Sequence, residues 1–145
     1  MDINFREIDP FNCWIWLKFA HPPSEGEKKY IDGLFDSWYV IGKLGGFNSE
    51  NLQAHDAAAE LSWITYEEES CMPALMHNLG TMEYQNEWGR CWVDLGTSDA
   101  MAFDILINCL IQINGDVVEL KELVIGGVND DWPVDDHPDA IFPNT

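Results

Sequence analysis

The cysteines and histidines of this 145-residue chain are too scattered to form a recognisable site. There is no C-x-x-C pair, which argues against zinc-ribbon and thioredoxin-type sites. Histidine pairs with metal-ligand spacing are also missing. Cys13, Cys91 and Cys109 fall in apolar segments and are predicted to be buried small side chains. Cys71, in a predicted loop, is the cysteine expected to be reactive, and His77 lies beside a predicted short helix over 73–79.

Nucleotide-binding and nucleophile motifs are absent from the sequence as well. It contains no G-x-S-x-G, no P-loop and no G-x-G-x-x-G. The stretch from Gly42 to Gly46 resembles a phosphate loop superficially, but it follows a predicted helix, so its amides do not form a helix N-terminus. The sequence therefore favours no catalytic residue, no metal and no cofactor, although residues distant in sequence can still assemble an active site.

The end of the chain is rich in aspartate and proline. Residues 129–145 hold five Asp and three Pro and no Lys or Arg. Cations could bind there, but the order of an EF-hand is missing, so we expect a solvated acidic tail. Trp132 is predicted to dock the start of this tail. The predicted organisation is one domain over residues 1–134 and a tail over 135–145.

The charge of the whole chain limits its partners. It has 26 Asp and Glu against 7 Lys and Arg, a net charge of −19. Nucleic acids and anionic lipids attract basic surfaces, so neither is an expected partner. No stretch of about 18 apolar residues occurs that could span a membrane. The first residues lack the features of a secretory signal, which predicts a cytoplasmic protein, and its 18 aromatic side chains predict a folded one.

The predicted helices and strands that would position any site follow the order β-α-β-β-α-β along the chain. This order indicates an α+β protein. This order predicts a ferredoxin-like split fold, an antiparallel sheet with two helices on one face. The strands over 12–19 and 87–95 are apolar on both faces and should be central, antiparallel neighbours. An alternative is another α+β arrangement with a third helix in 48–60. The remaining predicted elements are helices over Ser24 to about Leu44 and Ala100–Ile113, and strands over Leu61–Tyr66 and Val117–Ile125. Thr97 or Ser98 is predicted to cap the second helix, whose polar stripe is Asp104, Asn108 and Gln112.

Tryptophan is the unusual feature of the two central strands. If Ile15 and Val93 face the helices, the strand period places the tryptophans of both strands on the opposite face. A patch of that size is larger than a monomer normally exposes, so a cover or a partner is expected. Arg90 is predicted to pair with Asp94 among the indole rings. The predicted binding residues are Trp14, Trp16, Trp63, Trp88, Arg90 and Trp92.

Four segments carry a resemblance to a known family. The chain resembles an uncharacterised family of cyanobacteria, with plastid-targeted relatives in plants, called domain of unknown function 3531. The resemblance implies a phototroph source and a cytosolic setting, and it implies no activity. The segments are Phe11-Asn-Cys-Trp-Ile-Trp-Leu17, Phe35-Asp-Ser-Trp-Tyr39 with Gly42-Lys-Leu-Gly-Gly-Phe-Asn48, Glu87-Trp-Gly-Arg-Cys-Trp-Val-Asp-Leu-Gly-Thr-Ser-Asp99, and Gly126-Gly-Val-Asn-Asp-Asp-Trp-Pro133.

Two functions follow as hypotheses. The first is a soluble, acidic, non-catalytic protein-interaction or assembly module, which binds a partner protein or a second copy of itself. The alternative is an enzyme or small-ligand-binding protein with its pocket between the tryptophan face and the 48–87 segment. A flat aromatic face would favour the first, and a concave pocket with convergent polar groups would favour the second.

Overall fold

The computed structural model describes residues 1–46 and 75–127 of the chain. This part has a mixed α/β structure, an open sheet of six strands with two helices. The elements in chain order are β1 (Asp2–Phe5), β2 (Cys13–Phe19), α1 (Glu25–Lys43), β3 (Asn78–Leu79), β4 (Glu83–Gln85), β5 (Trp88–Asp94), α2 (Met101–Ile113) and β6 (Leu120–Ile125).

The sheet has the order β1-β6-β2-β5-β3, and β4 also pairs with β5. Strands β2 and β5 are antiparallel neighbours, as their apolar residues on both faces predict. Strand β6 is antiparallel to β2, whereas β1 is parallel to β6. The sheet is therefore mixed, and the prediction of an antiparallel sheet is wrong at β1. The four residues of β1 carry no strand signal of their own, because their conformation depends on pairing with a strand at the other end of the chain.

Helix α1 begins where its sequence predicts. The Ser24 hydroxyl accepts a hydrogen bond from Glu27 N at 3.2 Å, and the Glu27 carboxylate accepts one from Ser24 N at 2.8 Å. This reciprocal pair is a capping box, which satisfies two amides that the first turn leaves without partners. Ile31, Phe35 and Trp38 are buried on the side of the sheet. Trp38 Nε1 donates to Ala102 O at 2.8 Å and so ties α1 to α2.

Helix α2 begins differently from the prediction. Its N-cap is Ala100, which makes no side-chain capping bond, whereas Thr97 or Ser98 was expected to cap it. The Thr97 hydroxyl instead accepts from Leu75 N at 3.0 Å, since the neighbouring segment passes over it. The polar stripe of α2 is exposed as predicted, but Ile111 is exposed too and Cys109 is half-buried rather than core.

The segment before β3 is not helical in the part that the structure describes. Residues 75–77 have no regular structure, and Asn78–Leu79 pairs with β5 where a short helix over 73–79 was predicted. Met76 N donates to Gly42 O at 3.1 Å, so this segment finds backbone partners in α1 and β5 rather than within itself. The predictions for the 48–60 region, Leu61–Tyr66, Cys71, Trp132 and the tail lie outside the described residues.

The two faces of the sheet carry separate apolar clusters. The larger one packs both helices against Ile15, Leu17, Val93 and their neighbours on one face. The smaller one, on the opposite face, contains Trp16, Trp88 and Val124, with Trp14 packed against it. Neither α1 nor α2 has the length and apolar character that a bilayer crossing needs.

Candidate functional site

The pairing of β2 with β5 brings the predicted tryptophans together. Trp14 lies opposite Trp92, Trp16 opposite Arg90, and Lys18 opposite Trp88. Since alternate residues of a strand point to opposite faces, these side chains share the face that lies away from the helices. We call Trp14, Trp16, Trp88, Arg90 and Trp92 the tryptophan face.

Cations and rings alternate on the tryptophan face. The rings of Trp16 and Trp88 meet edge to face, with centroids 6.0 Å apart. The Arg90 guanidinium carbon is 5.3 Å from the Trp14 ring centroid and 5.7 Å from that of Trp16. Lys18 Nζ is 5.5 Å from the Trp88 ring. A guanidinium is attracted by the electron-rich face of an indole, so Arg90 stabilises this cluster as well as packing in it.

The ion pair of Arg90 is not the predicted one. Arg90 Nε donates to Glu83 Oε1 at 2.8 Å, and Glu83 lies opposite Arg90 in the β4–β5 pair. Asp94 is four residues from Arg90 along a strand, which is about 13 Å and out of reach. The Asp94 carboxylate instead accepts from Gly96 N at 2.8 Å. The predicted Arg90–Asp94 pair is therefore wrong.

The tryptophan face is largely covered within the single chain, which is one of the two arrangements expected from the sequence. Trp16 and Trp88 are only 2% and 3% exposed. Trp14 and Trp92 are half-buried, and Trp92 Nε1 donates to Asn12 Oδ1 at 2.7 Å. The single chain thus buries two of the four indoles without a second copy. Trp63 lies outside the described residues, and a binding role for the tryptophan face stays a prediction.

A small cavity lies on the other face, between α1 and the β3–β4 connection. It encloses about 250 Å³, and its lining includes Asp32, Asp36, Gly80 and Cys91. Burial raises the pKa of the Cys91 thiol to about 12, and the thiol donates to Gly80 O at 3.3 Å. A neutral, hydrogen-bonded thiol is a poor nucleophile, so Cys91 does not suit covalent catalysis.

That cavity is not in the place predicted for a ligand pocket. The alternative hypothesis placed a pocket between the tryptophan face and the 48–87 segment, whereas this cavity is on the helix side of the sheet. The Tyr84 hydroxyl donates to Asp32 Oδ1 at 2.8 Å. One of the two carboxylates that line the cavity, Asp32 and Asp36, is therefore already hydrogen-bonded. Both burial and this hydrogen bond raise the pKa of Tyr84, which keeps the phenol a donor.

An apolar groove at the start of α2 was not predicted, and we call it the α2 groove. Leu95 N donates to Pro10 O at 2.7 Å, which holds the segment after β1 against the end of β5. The groove forms between that segment and the first turn of α2 and encloses about 260 Å³. Its lining residues are Phe5, Ile8, Pro10, Leu95, Ser98, Asp99, Ala100, Phe103 and Asp104.

Phe5 is the exposed aromatic residue of the α2 groove. Its ring packs edge to face on Phe103, with centroids 6.4 Å apart, and 54% of its surface remains exposed. Phe103 itself is 6% exposed. One ring of this pair therefore belongs to the core and the other to the surface. Large aromatic side chains in this position are typical anchors of protein interfaces.

The polar groups of the α2 groove are few. The Ser98 hydroxyl oxygen is buried and has no hydrogen-bond partner among the residues that the structure describes. Buried hydroxyls are normally hydrogen-bonded, but this oxygen is itself buried, so a group in the groove would reach it only if neighbouring side chains moved. Asp99 and Asp104 add carboxylates to the lining, and Asp104 is exposed. Sequence reasoning missed this set, because β1, the following loop and α2 contribute separate parts.

Metal-ligating residues do not converge in residues 1–46 or 75–127. No three of the His, Cys, Asp and Glu side chains there lie close enough together to hold a metal ion. His77 Nδ1 is 3.5 Å from Asp94 Oδ1, and the His77 side chain is about half exposed, which is a surface contact rather than a ligand set.

Comparison with known proteins gives one match. A family model described as "Protein of unknown function (DUF3531)" matches residues 1–140. No curated protein and no solved structure matches the chain.

Proposed function

Because the chain belongs to the family of proteins of unknown function DUF3531, we propose its role from its own surface: it is a non-catalytic protein-interaction or assembly module. Its partner is a basic protein, and the α2 groove takes an apolar side chain of that partner. The observation that carries the proposal is the groove itself, an apolar depression of about 260 Å³ with an exposed aromatic ring at its edge.

The apolar lining suits a side chain better than a polar substrate. Phe5, Ile8, Leu95 and Phe103 are among the apolar residues that line the groove. A partner residue that fills such a depression removes apolar surface from water, and buried anchors of this kind supply much of the affinity of an interface.

The net charge of the chain favours a partner of opposite charge. The chain carries a net charge of −19, and Asp104 is exposed at the groove. Opposite charges speed association, whereas like charges oppose it. This favours a partner with Lys and Arg beside its apolar anchor. It disfavours nucleic acid and a second copy of this chain.

The tryptophan face contributes less to this proposal than its composition predicts. Trp16 and Trp88 are buried, so they support the sheet. The accessible part of that face is at Trp14 and Trp92, which are half-buried and lie opposite each other. We keep these two, with Arg90, as a secondary contact surface for the same basic partner. Trp63 remains a proposed member that lies outside the described residues.

We also propose that the segment from β2 to β6 is a ferredoxin-like unit to which β1 is added. The neighbours β6-β2-β5-β3 and the antiparallel pairing of β2 with β5 and with β6 support this. A phototroph source and a cytoplasmic setting remain proposals as well, and the phototroph source rests on the resemblance of the sequence segments alone.

Selection of random peptides displayed on phage tests the role of the groove. We expect enriched peptides that combine Lys or Arg with a large apolar residue and that bind less tightly in high salt. Ala100 is exposed and lines the groove, so Ala100→Trp places a bulky side chain there. This variant should bind the selected peptides about tenfold more weakly or worse, the equivalent of about 1.4 kcal/mol.

Ile111→Trp is the matched control for that selection. Ile111 is exposed on the same helix and lies about 16 Å along the axis from Ala100. Peptides that bind the Ile111→Trp protein normally and the Ala100→Trp protein poorly would support the proposal. Equal binding to both variants, or no enrichment of basic peptides, would overturn it.

A further inference from the structure

Strand β1 is the outermost strand at one end of the described sheet. It pairs with β6 through four consecutive residues, from Asp2 opposite Glu122 to Phe5 opposite Ile125. Within residues 1–46 and 75–127, no strand pairs with its other edge. An edge strand presents a row of backbone donors and acceptors that a further strand can use.

The register identifies which backbone groups point outward. Arg6 N donates to Ile125 O at 2.8 Å, so Arg6 N points toward β6. The N–H and C=O groups of successive strand residues point to opposite edges, so those of Asn4 also face β6. The N–H and C=O groups of Ile3 and Phe5 therefore point to the outer edge.

Three of the devices that protect a sheet edge, Pro, Lys and a β-bulge, are missing from β1. Natural edge strands are often interrupted by Pro, by Lys or by a β-bulge. The strand reads Asp2-Ile-Asn-Phe5, and its register with β6 is regular throughout. The edge is thus short but competent to pair.

The outer edge of β1 and the α2 groove are adjacent. Ile3 packs against the helix-side core, and Phe5, on the same face of the strand, packs against Phe103 and lines the groove. We infer that the basic partner contributes an extended segment that adds to β1 as a seventh strand and places one apolar side chain in the α2 groove. This inference rests on the proposed function and names the mode of binding.

Charge distinguishes this occupant from a second copy of the chain. Pairing of β1 with β1 of another molecule would bring together two chains that each carry −19. An added strand presents its alternate side chains to the opposite face, beside the exposed Asp2 and Asn4. Lys or Arg at those positions would meet Asp2, whereas apolar residues at the others would face α2. A basic, alternating segment fits both faces.

Hydrogen exchange of the full chain with a capped peptide in which Lys and Val alternate tests the strand addition. The amides of Asn4 and Arg6 should exchange slowly already, because they face β6. Those of Ile3 and Phe5 should exchange fast in the free protein. With the peptide at a hundred times its Kd, they should exchange about a hundredfold more slowly, since exchange then requires dissociation.

A pair of variants distinguishes the contribution of the Phe5 backbone N–H to peptide binding from that of the Phe5 ring. Phe5→Ala removes the ring and keeps the N–H, whereas Phe5→Pro removes both without disturbing a bond to β6. Loss of one backbone hydrogen bond should make the Lys-Val peptide bind the Phe5→Pro protein up to about tenfold more weakly than the Phe5→Ala protein. Equal affinity of these two variants would overturn the strand addition.

The other outcomes of these experiments also test the strand addition. Failure of the Lys-Val peptide to bind, or to protect Ile3 and Phe5, overturns the strand addition, whereas the proposed function is judged separately by the Ala100→Trp selection. Protection of Ile3 and Phe5 in the free monomer would mean that another segment of this chain occupies the edge. Protection that depends on protein concentration would mean a second copy. Either result overturns the inference.

Discussion

Arg90 lies directly opposite Trp16 in the β2–β5 pair, and its guanidinium carbon is 5.7 Å from the centre of the Trp16 ring. The same arginine is bonded to Glu83 at 2.8 Å, so one cation serves both an ion pair and the indoles. Glu83 is about half exposed, and exposed ion pairs contribute little to stability. The contact of Arg90 with the rings is therefore the stronger of these two interactions.

We predict that Arg90→Met lowers the free energy of unfolding by about 1–2 kcal/mol, because it removes a cation that packs between two indoles. Glu83→Gln, which removes only the ion pair, should cost less than about 1 kcal/mol. Urea denaturation followed by tryptophan fluorescence measures both. An equal loss in the two variants would mean that the ion pair, rather than the ring contact, is the stabilising interaction.

Trp16 should be essential to the fold of the single chain. It is 2% exposed, so Trp16→Ala removes a buried ring and should lower the free energy of unfolding by about 3–5 kcal/mol. Trp16→Glu should leave no folded protein, since a carboxylate would be buried without a partner. Circular dichroism and light scattering measure fold and mass together. A folded Trp16→Glu monomer obtained from a dimeric wild-type protein would contradict this and restore a dimer contact.

Two glycines of α1 should respond to alanine with opposite sign. A Cβ at Gly33 meets nothing within 4 Å, so Gly33→Ala should raise the free energy of unfolding by about 0.5–1 kcal/mol through helix propensity. A Cβ at Gly42 would lie 2.5 Å from Met76 Sδ, and Met76 is buried. Gly42→Ala should therefore be destabilising. Thermal unfolding of both variants gives the comparison, and stabilisation by Gly42→Ala would show that Met76 has room to move.

Stability should fall at alkaline pH because of two buried thiols. Burial raises the pKa of Cys13 and of Cys91 to about 12 each, from 9.0. Above pH 9 the unfolded chain loses these protons while the folded chain keeps them, so unfolding becomes easier as pH rises toward about 12. Each thiol contributes up to about 1.4 kcal/mol per pH unit in that window and nothing below it.

Urea denaturation at several pH values from 8 upward measures this dependence. The variant carrying Cys13→Ala and Cys91→Ala is the control, and its stability should change less with pH than that of the wild-type protein. Tyr84, whose pKa is also raised, remains in both proteins and supplies a common background. A wild-type protein no more sensitive to pH than the control would contradict the assignment.

Local sequence signals predicted the elements that local interactions build. Ser24 and Glu27 lie three residues apart and cap α1 through their own hydrogen bonds, so the start of that helix could be read directly. Alternation predicted that Trp14 and Trp16 share one face, because a strand has a fixed period. Both faces of these strands are apolar, so the sequence left open which face meets the helices, and the structure confirms the phase that was assumed.

The rest depends on contacts between distant parts of the chain. Strand β1 exists through its pairing with β6, about 120 residues away, and four residues are too few to show a pattern. Arg90 takes Glu83 rather than Asp94 because β4 forms a hairpin with β5 that the sequence did not predict. The α2 groove joins β1, the loop at Pro10 and the first turn of α2, so its members share no spacing.

Site-specific photo-crosslinking in the native cell tests the central claim most directly. A photoreactive amino acid at Ala100, in the α2 groove, should crosslink to one basic protein, at a segment that combines Lys or Arg with an apolar residue. The same amino acid at Ile111 should not capture that segment. Recovery of the same proteins from both positions, or of a segment without basic residues at Ala100, would contradict the account.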